Sequence, residues 1–131
     1  MATVTTKSNT KPYILVAEDD KFYANIYRSK FTKEGFDVLV VQNGDEVLRE
    51  IKLKKPDILL LDLIMPVKDG FEVLEALQKD EDMRKIKVIV LSNLSQEEDT
   101  QRALKLGAKD YFVKANISIQ EVIERVKKAI I

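Results

Sequence analysis

Apolar residues in this chain come in blocks and do not alternate with polar ones. Five short runs stand out: Tyr13-Ile14-Leu15-Val16-Ala17, Val38-Leu39-Val40-Val41, Ile58-Leu59-Leu60-Leu61, Val88-Ile89-Val90-Leu91 and Tyr111-Phe112-Val113. Unbroken runs of this length read as strands covered on both faces, as in a parallel sheet. Between them the apolar spacing turns helical. Tyr23, Ile26, Tyr27 and Phe31 share one face, and so do Val47, Leu48 and Ile51; Phe71, Val73, Leu74 and Leu77 form a third stripe. Ala103, Leu104 and Leu106 form a weaker fourth, and Val122, Ile123, Val126, Ala129 and Ile130 a fifth. Strand and helix alternating five times predict an α/β, doubly wound (βα)5 fold, with right-handed crossovers and helices on both sheet faces.

Glycines punctuate these units: Gly35 and Gly107 follow helices as caps, Gly44 precedes one and Gly70 opens another. Ser118 with Glu121 fits a capping box for the last helix, and Ser95 with Glu98 one for the fourth. Residues 1–11 are rich in Thr, Ser and Lys and read as a flexible tail, leaving 12–131 as a single domain. No internal repeat or second domain is expected.

The chemistry sits where the runs stop. The first leads into Glu18, Asp19 and Asp20, the third into Asp62, the fourth into Ser92 and the fifth into Lys114. In a doubly wound sheet, ligands bind outside the carboxyl ends of the strands, where strand order reverses. Four segments therefore converge on one pocket. The second run ends on Gln42-Asn43-Gly44, without a comparable group, which fits an edge strand outside the site.

Composition narrows the reaction. The chain has no Cys and no His, so thiolate or imidazole catalysis, zinc–thiolate sites and disulfides are excluded. The 22 basic and 22 acidic residues cancel, so no nucleic-acid or membrane-surface field is implied. No run approaches membrane-spanning length and no signal peptide precedes the domain, so a cytoplasmic location is expected. Converging carboxylates repel by about 4 kcal/mol at 4 Å and an effective dielectric near 20, so they hold a proton or a cation. Without imidazole or thiolate, a metal here must be held by oxygen: Mg²⁺, Mn²⁺ or Ca²⁺. An aspartate flanked by such an ion, an ammonium and a hydroxyl is equipped to attack phosphorus and form an aspartyl phosphate. Asp20 reads as a cap of the first helix, Met65-Pro66 as loop-shaping, and Glu97-Glu98-Asp99 as a solvated first helical turn.

These pieces, taken in order, resemble a response regulator receiver domain of the stand-alone chemotaxis type. The resemblance rests on Ile14-Leu15-Val16-Ala17-Glu18-Asp19-Asp20, Leu61-Asp62-Leu63-Ile64-Met65-Pro66 with Asp69-Gly70, Val90-Leu91-Ser92-Asn93, and Gly107-Ala108-Lys109-Asp110-Tyr111-Phe112-Val113-Lys114. It implies a flavodoxin-like sheet of order 2-1-3-4-5. It also implies Asp62 as phosphoacceptor, and Mg²⁺ held by Asp19, Asp62, the backbone carbonyl of Ile64 and, through water, Glu18. Ser92 and Lys114 would grip the phosphoryl group, with Mn²⁺ or Ca²⁺ as substitute ions. Tyr111 matches an aromatic that turns inward when Ser92 is drawn toward phosphate. The implied donor is a histidine kinase or phosphotransfer protein. The implied output is a downstream protein bound at the face of the fourth helix, fifth strand and fifth helix, with the chain a monomer or weak dimer.

Two positions depart from the family. Ala115 stands where a proline often follows the lysine through a cis bond, leaving the Lys114-Ala115 bond either trans or within a strained loop. Ile64 and Leu94, two residues beyond Asp62 and Ser92, are both apolar and cannot orient a hydrolytic water, so slow self-dephosphorylation is expected. Two other functional classes compete with the signalling switch. A Mg²⁺-dependent aspartyl phosphatase would want an acid at Ile64, and a pseudo-receiver would bind partners without phosphorylation. Nucleotide binding is disfavoured, since no Gly-rich phosphate loop follows any run.

Overall fold

The computed structural model describes residues 11–131, so the expected tail lies, apart from Lys11, outside the described residues. Five strands are present: β1 (Tyr13–Ala17), β2 (Asp37–Val41), β3 (Ile58–Leu61), β4 (Val88–Ser92) and β5 (Asp110–Val113). They alternate with α1 (Lys21–Lys33), α2 (Gly44–Leu53), α3 (Gly70–Gln78), α4 (Glu97–Lys105) and α5 (Ile119–Ile130), and single 3₁₀ turns occur at Met83–Lys85 and Lys114–Asn116. The sheet is parallel throughout with order β2-β1-β3-β4-β5, the flavodoxin-like arrangement.

The unbroken apolar runs are explained by two separate cores. Leu15, Ala17, Leu59, Leu61, Val88 and Val90 project to one face, where Val47 and Ile51 of α2, Val73, Leu74 and Leu77 of α3 and Ala103 of α4 cover them. Their neighbours Ile14, Val16, Ile58, Leu60, Ile89 and Leu91 project to the other, against Tyr27 and Phe31 of α1 and Val122, Ile123 and Val126 of α5. Each strand keeps its period of two, and both sets are apolar because both faces are buried.

The edges behave differently. β2 is apolar in sequence but alternates between exposed and half-buried, and Leu39 faces solvent. Two-sided coverage therefore fails there, because an edge strand lies beyond the reach of the helix that would cover its second face. The fourth stripe also narrows: Ala103 is buried, while Leu104 is exposed and Leu106 lies past the end of α4.

Several ends follow the expected capping. Asp20 caps α1 by accepting from the Phe22 and Tyr23 N–H groups. Gly35 and Gly107 follow α1 and α4 with φ of +93° and +105°. The Ser95–Glu98 box is absent: α4 starts at Glu97 behind Gln96, with no side-chain cap. Three acids in its first turn favour the positive helix end instead. Ser118 forms half of its box, accepting from Glu121 N at 3.1 Å, while the Glu121 carboxylate turns toward Arg125. The complete capping box is at α3, where Asp69 and Glu72 satisfy each other's backbone N–H groups. The Lys114-Ala115 bond is trans, and the described residues contain no cis peptide.

Candidate functional site

Sheet register builds the site. Ala17 pairs with Leu61, so the next residue of each strand emerges beside the other: Glu18 from β1 and Asp62 from β3. The Asp62 N–H donates to the Ala17 carbonyl at 3.1 Å, which carries the pairing one step past the strand. β1 and β3 flank the point where strand order reverses. On the far side Ser92 pairs with Val113, so Lys114 leaves β5 immediately afterwards. The 3₁₀ turn beginning at Lys114 sends the chain away while the side chain runs back across the strand ends.

The reach of Lys114 determines the electrostatics. Its Nζ lies 2.5 Å from Glu18 Oε1 and 2.7 Å from Asp62 Oδ2. All three groups are buried, at 2% exposure for Glu18, 6% for Asp62 and 9% for Lys114. Burial pushes the Glu18 carboxyl up to about 7, against the lowering effect of its hydrogen bond from Lys114; the Asp62 charge adds to the rise. Burial alone would lower the Lys114 ammonium, but its hydrogen bonds to Asp62 and Glu18 outweigh that and raise it. The second Asp62 oxygen, Oδ1, accepts from Ile64 N at 3.2 Å, so the loop after β3 is tied to the acid it follows.

Asp19 is exposed beside this buried pair. One oxygen each from Glu18, Asp19 and Asp62 lies within 4.8 Å of the others. Three hard oxygen donors carrying excess negative charge suit a divalent cation such as Mg²⁺. The donor set and the charge therefore fit the ion suggested by the sequence.

Ser92 is fully buried at the end of β4, and its Oγ accepts from Leu94 N at 3.4 Å. The Leu94 carbonyl in turn accepts from the Tyr111 hydroxyl at 2.7 Å. Ser92 and Tyr111 are thus connected through one residue of the β4–α4 loop. Tyr111 is half-buried and packs against the core on the α4 side. Ile64 is largely exposed, and Leu94 is half-buried.

Two contributors escaped the sequence reading. Gly70 opens α3 directly against the acid's backbone, where a β-carbon would sit 2.5 Å from the Asp62 carbonyl oxygen and 2.7 Å from Leu63 Cα. Its N–H donates to the Leu63 carbonyl at 3.0 Å. The helix start at Gly70 was expected from the sequence; its closeness to the Asp62 backbone was not. The other contributor is Tyr23, whose ring centroid is 4.6 Å from Lys114 Nζ. Nothing in the spacing of Tyr23 distinguishes it from a core aromatic.

Comparison with known proteins gives one family. Residues 14–127 match the response regulator receiver domain. Among solved structures, the receiver domain of the Francisella response regulator 1452 is 37% identical, with TM-score 0.84, and the match covers 92% of this chain and 97% of that one. The receiver domain of a signal transduction histidine kinase from Syntrophus aciditrophicus is 31% identical, with TM-score 0.83, covering 91% and 89%. The receiver domain of a sensor histidine kinase from Pseudomonas aeruginosa, with a magnesium ion coordinated in its active-site cleft, has TM-score 0.83 at 23% identity and covers 92% and 98%.

Proposed function

Since this chain belongs to the response regulator receiver domain family of two-component systems, we propose that it accepts a phosphoryl group on Asp62 from a phosphohistidine of a histidine kinase or phosphotransfer protein. The observation that carries the reading is the buried Lys114 ammonium on one oxygen of a buried aspartate, beside two further carboxylates.

The residues divide the work as follows. An Asp62 oxygen attacks phosphorus, the P–N bond breaks, and the departing imidazole nitrogen keeps the electron pair. Lys114, already 2.7 Å from Asp62, moves onto a phosphoryl oxygen and offsets the charge gathered there. Asp19, Asp62, the Ile64 carbonyl and, through water, Glu18 would hold Mg²⁺, which would offset the negative charge of the transferring group; Mn²⁺ or Ca²⁺ would use the same donors. Ser92 donates its hydroxyl to another phosphoryl oxygen.

That last contact is the output. Phosphate shifts an equilibrium only between states it binds differently. Drawing Ser92 inward moves the Leu94 carbonyl, and with it the partner of the Tyr111 hydroxyl. The α4–β5–α5 face, where the downstream protein binds, then favours one of two packings. The described residues contain no helix long and apolar enough to cross a membrane, in keeping with a cytoplasmic relay. The domain is taken as residues 12–131.

Beryllofluoride with Mg²⁺ mimics the acyl phosphate and tests the reading directly. Binding that disappears in Asp62→Ala supports it. No binding to the parent chain would indicate a pseudo-receiver, and turnover of small phosphomonoesters a phosphatase. The exposed Ile64, where a phosphatase would need an acid, argues against the latter.

A further inference from the structure

We propose that Tyr23 is a positioning residue for phosphoryl transfer, holding the Lys114 ammonium at the rim of the site through the face of its ring. The proposal rests on the phosphoacceptor reading above.

The ammonium has three N–H donors. Glu18 Oε1 and Asp62 Oδ2 can take two, and the ammonium also lies over the Tyr23 ring, 4.6 Å from Nζ to centroid. The carboxylates are also the donors any cation at the acidic cluster would draw on, and Asp62 is the group to be phosphorylated. Each therefore leaves the lysine, wholly or in part, as the reaction proceeds. The negative face of an aromatic ring attracts an ammonium but neither binds a hard cation well nor changes on phosphorylation. Tyr23 is the partner that remains.

The ring is also fixed in place. Asp20 accepts from the Phe22 and Tyr23 N–H groups, which sets the first turn of α1 at the rim. Tyr27 stacks beneath Tyr23 at 6.0 Å and 23°, and the Phe22 ring meets it edge-on at 5.6 Å. Lys114 lines a cleft of about 240 Å³ between α1 and α5, bordered by Tyr23, Tyr27, Ile117 and Val122. Without the ring, the lysine side chain has room to swing into that cleft.

The test compares Tyr23→Phe, which keeps the ring, with Tyr23→Leu, which keeps only apolar bulk. In the full chain with Mg²⁺, Tyr23→Leu should weaken beryllofluoride binding roughly tenfold and slow phosphorylation by acetyl phosphate to a similar extent, while Tyr23→Phe stays within about twofold of the parent. In a Lys114→Met background, Tyr23→Leu should produce no further loss, which a general packing defect would not predict. Equal binding by parent and Tyr23→Leu overturns the proposal. So does equal damage from Phe and Leu, or an undiminished Leu effect in the Lys114→Met background. Failure of the parent itself to bind beryllofluoride would instead overturn the phosphoacceptor reading.

Discussion

Lys114→Met isolates the charge at the centre of the site, because Met keeps an unbranched apolar stem and removes only the ammonium. In the parent that ammonium lies 2.5 Å from Glu18 and 2.7 Å from Asp62, and both carboxylates are almost wholly buried. Without it they face each other with oxygens inside 4.8 Å. At that separation and an effective dielectric near 20, the repulsion is about 3.5 kcal/mol. Breaking a buried pair by removing one partner costs about 3–5 kcal/mol, the same range.

The variant has one inexpensive escape, a proton on Glu18, whose carboxyl is already raised to about 7 by burial with the lysine present. An acid raised in the folded state contributes stability that is complete below its ordinary value and is lost as pH climbs through the raised one. Lys114→Met should therefore lose about 3–5 kcal/mol near pH 8.5 in EDTA, and distinctly less near pH 5.5. Saturating Mg²⁺ should restore part of the loss, since it binds the folded cluster and not the unfolded chain. Urea unfolding followed by far-UV circular dichroism reads this out, the chain having no Trp. A loss below about 1 kcal/mol near pH 8.5, or an equal loss at both pH values, would refute the claim that the ammonium neutralises this pair.

Glu18→Gln should flatten the pH dependence of the metal-free protein: its advantage over the parent grows from the ordinary carboxylate value of 4.5 to about 7, reaching roughly 3 kcal/mol in urea titrations. An unchanged slope would count against a raised Glu18. Gly70→Ala must push α3 off the Asp62 backbone, costing about 1–3 kcal/mol in unfolding free energy and weakening beryllofluoride binding as well; full retention of both would contradict the close contact. Ile64→Asn, which places a hydrogen-bonding group beside Asp62, should speed loss of the phosphoryl group roughly 2- to 10-fold, one hydrogen bond's net worth. A parent half-life of seconds, followed by radiolabel, would contradict the slow hydrolysis expected from Ile64 and Leu94.

The layout of the sheet could be read because each central strand is apolar on both faces, and such runs have few other uses. Where that condition lapses, reading fails: Val38-Leu39-Val40-Val41 looks like the other runs, yet Leu39 faces water because β2 is an edge. Helix starts were legible where a single side chain closes a local ring, as at Asp20, and illegible where charge replaces a cap, as at Ser95. The acidic cluster was legible for a related reason, since a carboxylate at the end of a buried strand has nowhere to go but the strand-end surface. What spacing cannot reveal is rotation about a helix axis or close approach between distant backbones. That is why Tyr23 passed for a core aromatic and the contact of Gly70 with Asp62 went unseen.

The register that stabilises the sheet also creates its least comfortable contact. Pairing Ala17 with Leu61 obliges Glu18 and Asp62 to emerge side by side, whatever their charges. No change in those two side chains' rotamers removes them from a shared, buried rim. The neutralising charge must come from elsewhere, and the chain supplies it from β5, two strands beyond β3, roughly 10 Å away at ordinary strand spacing. A lysine is long and flexible enough to span that gap and to let go again, whereas a shorter or rigid donor would fix one state. The tension between two acids sharing one ammonium is thus imposed by topology. It leaves Asp62 held by a partner that can transfer from carboxylate to phosphoryl oxygen without crossing the site.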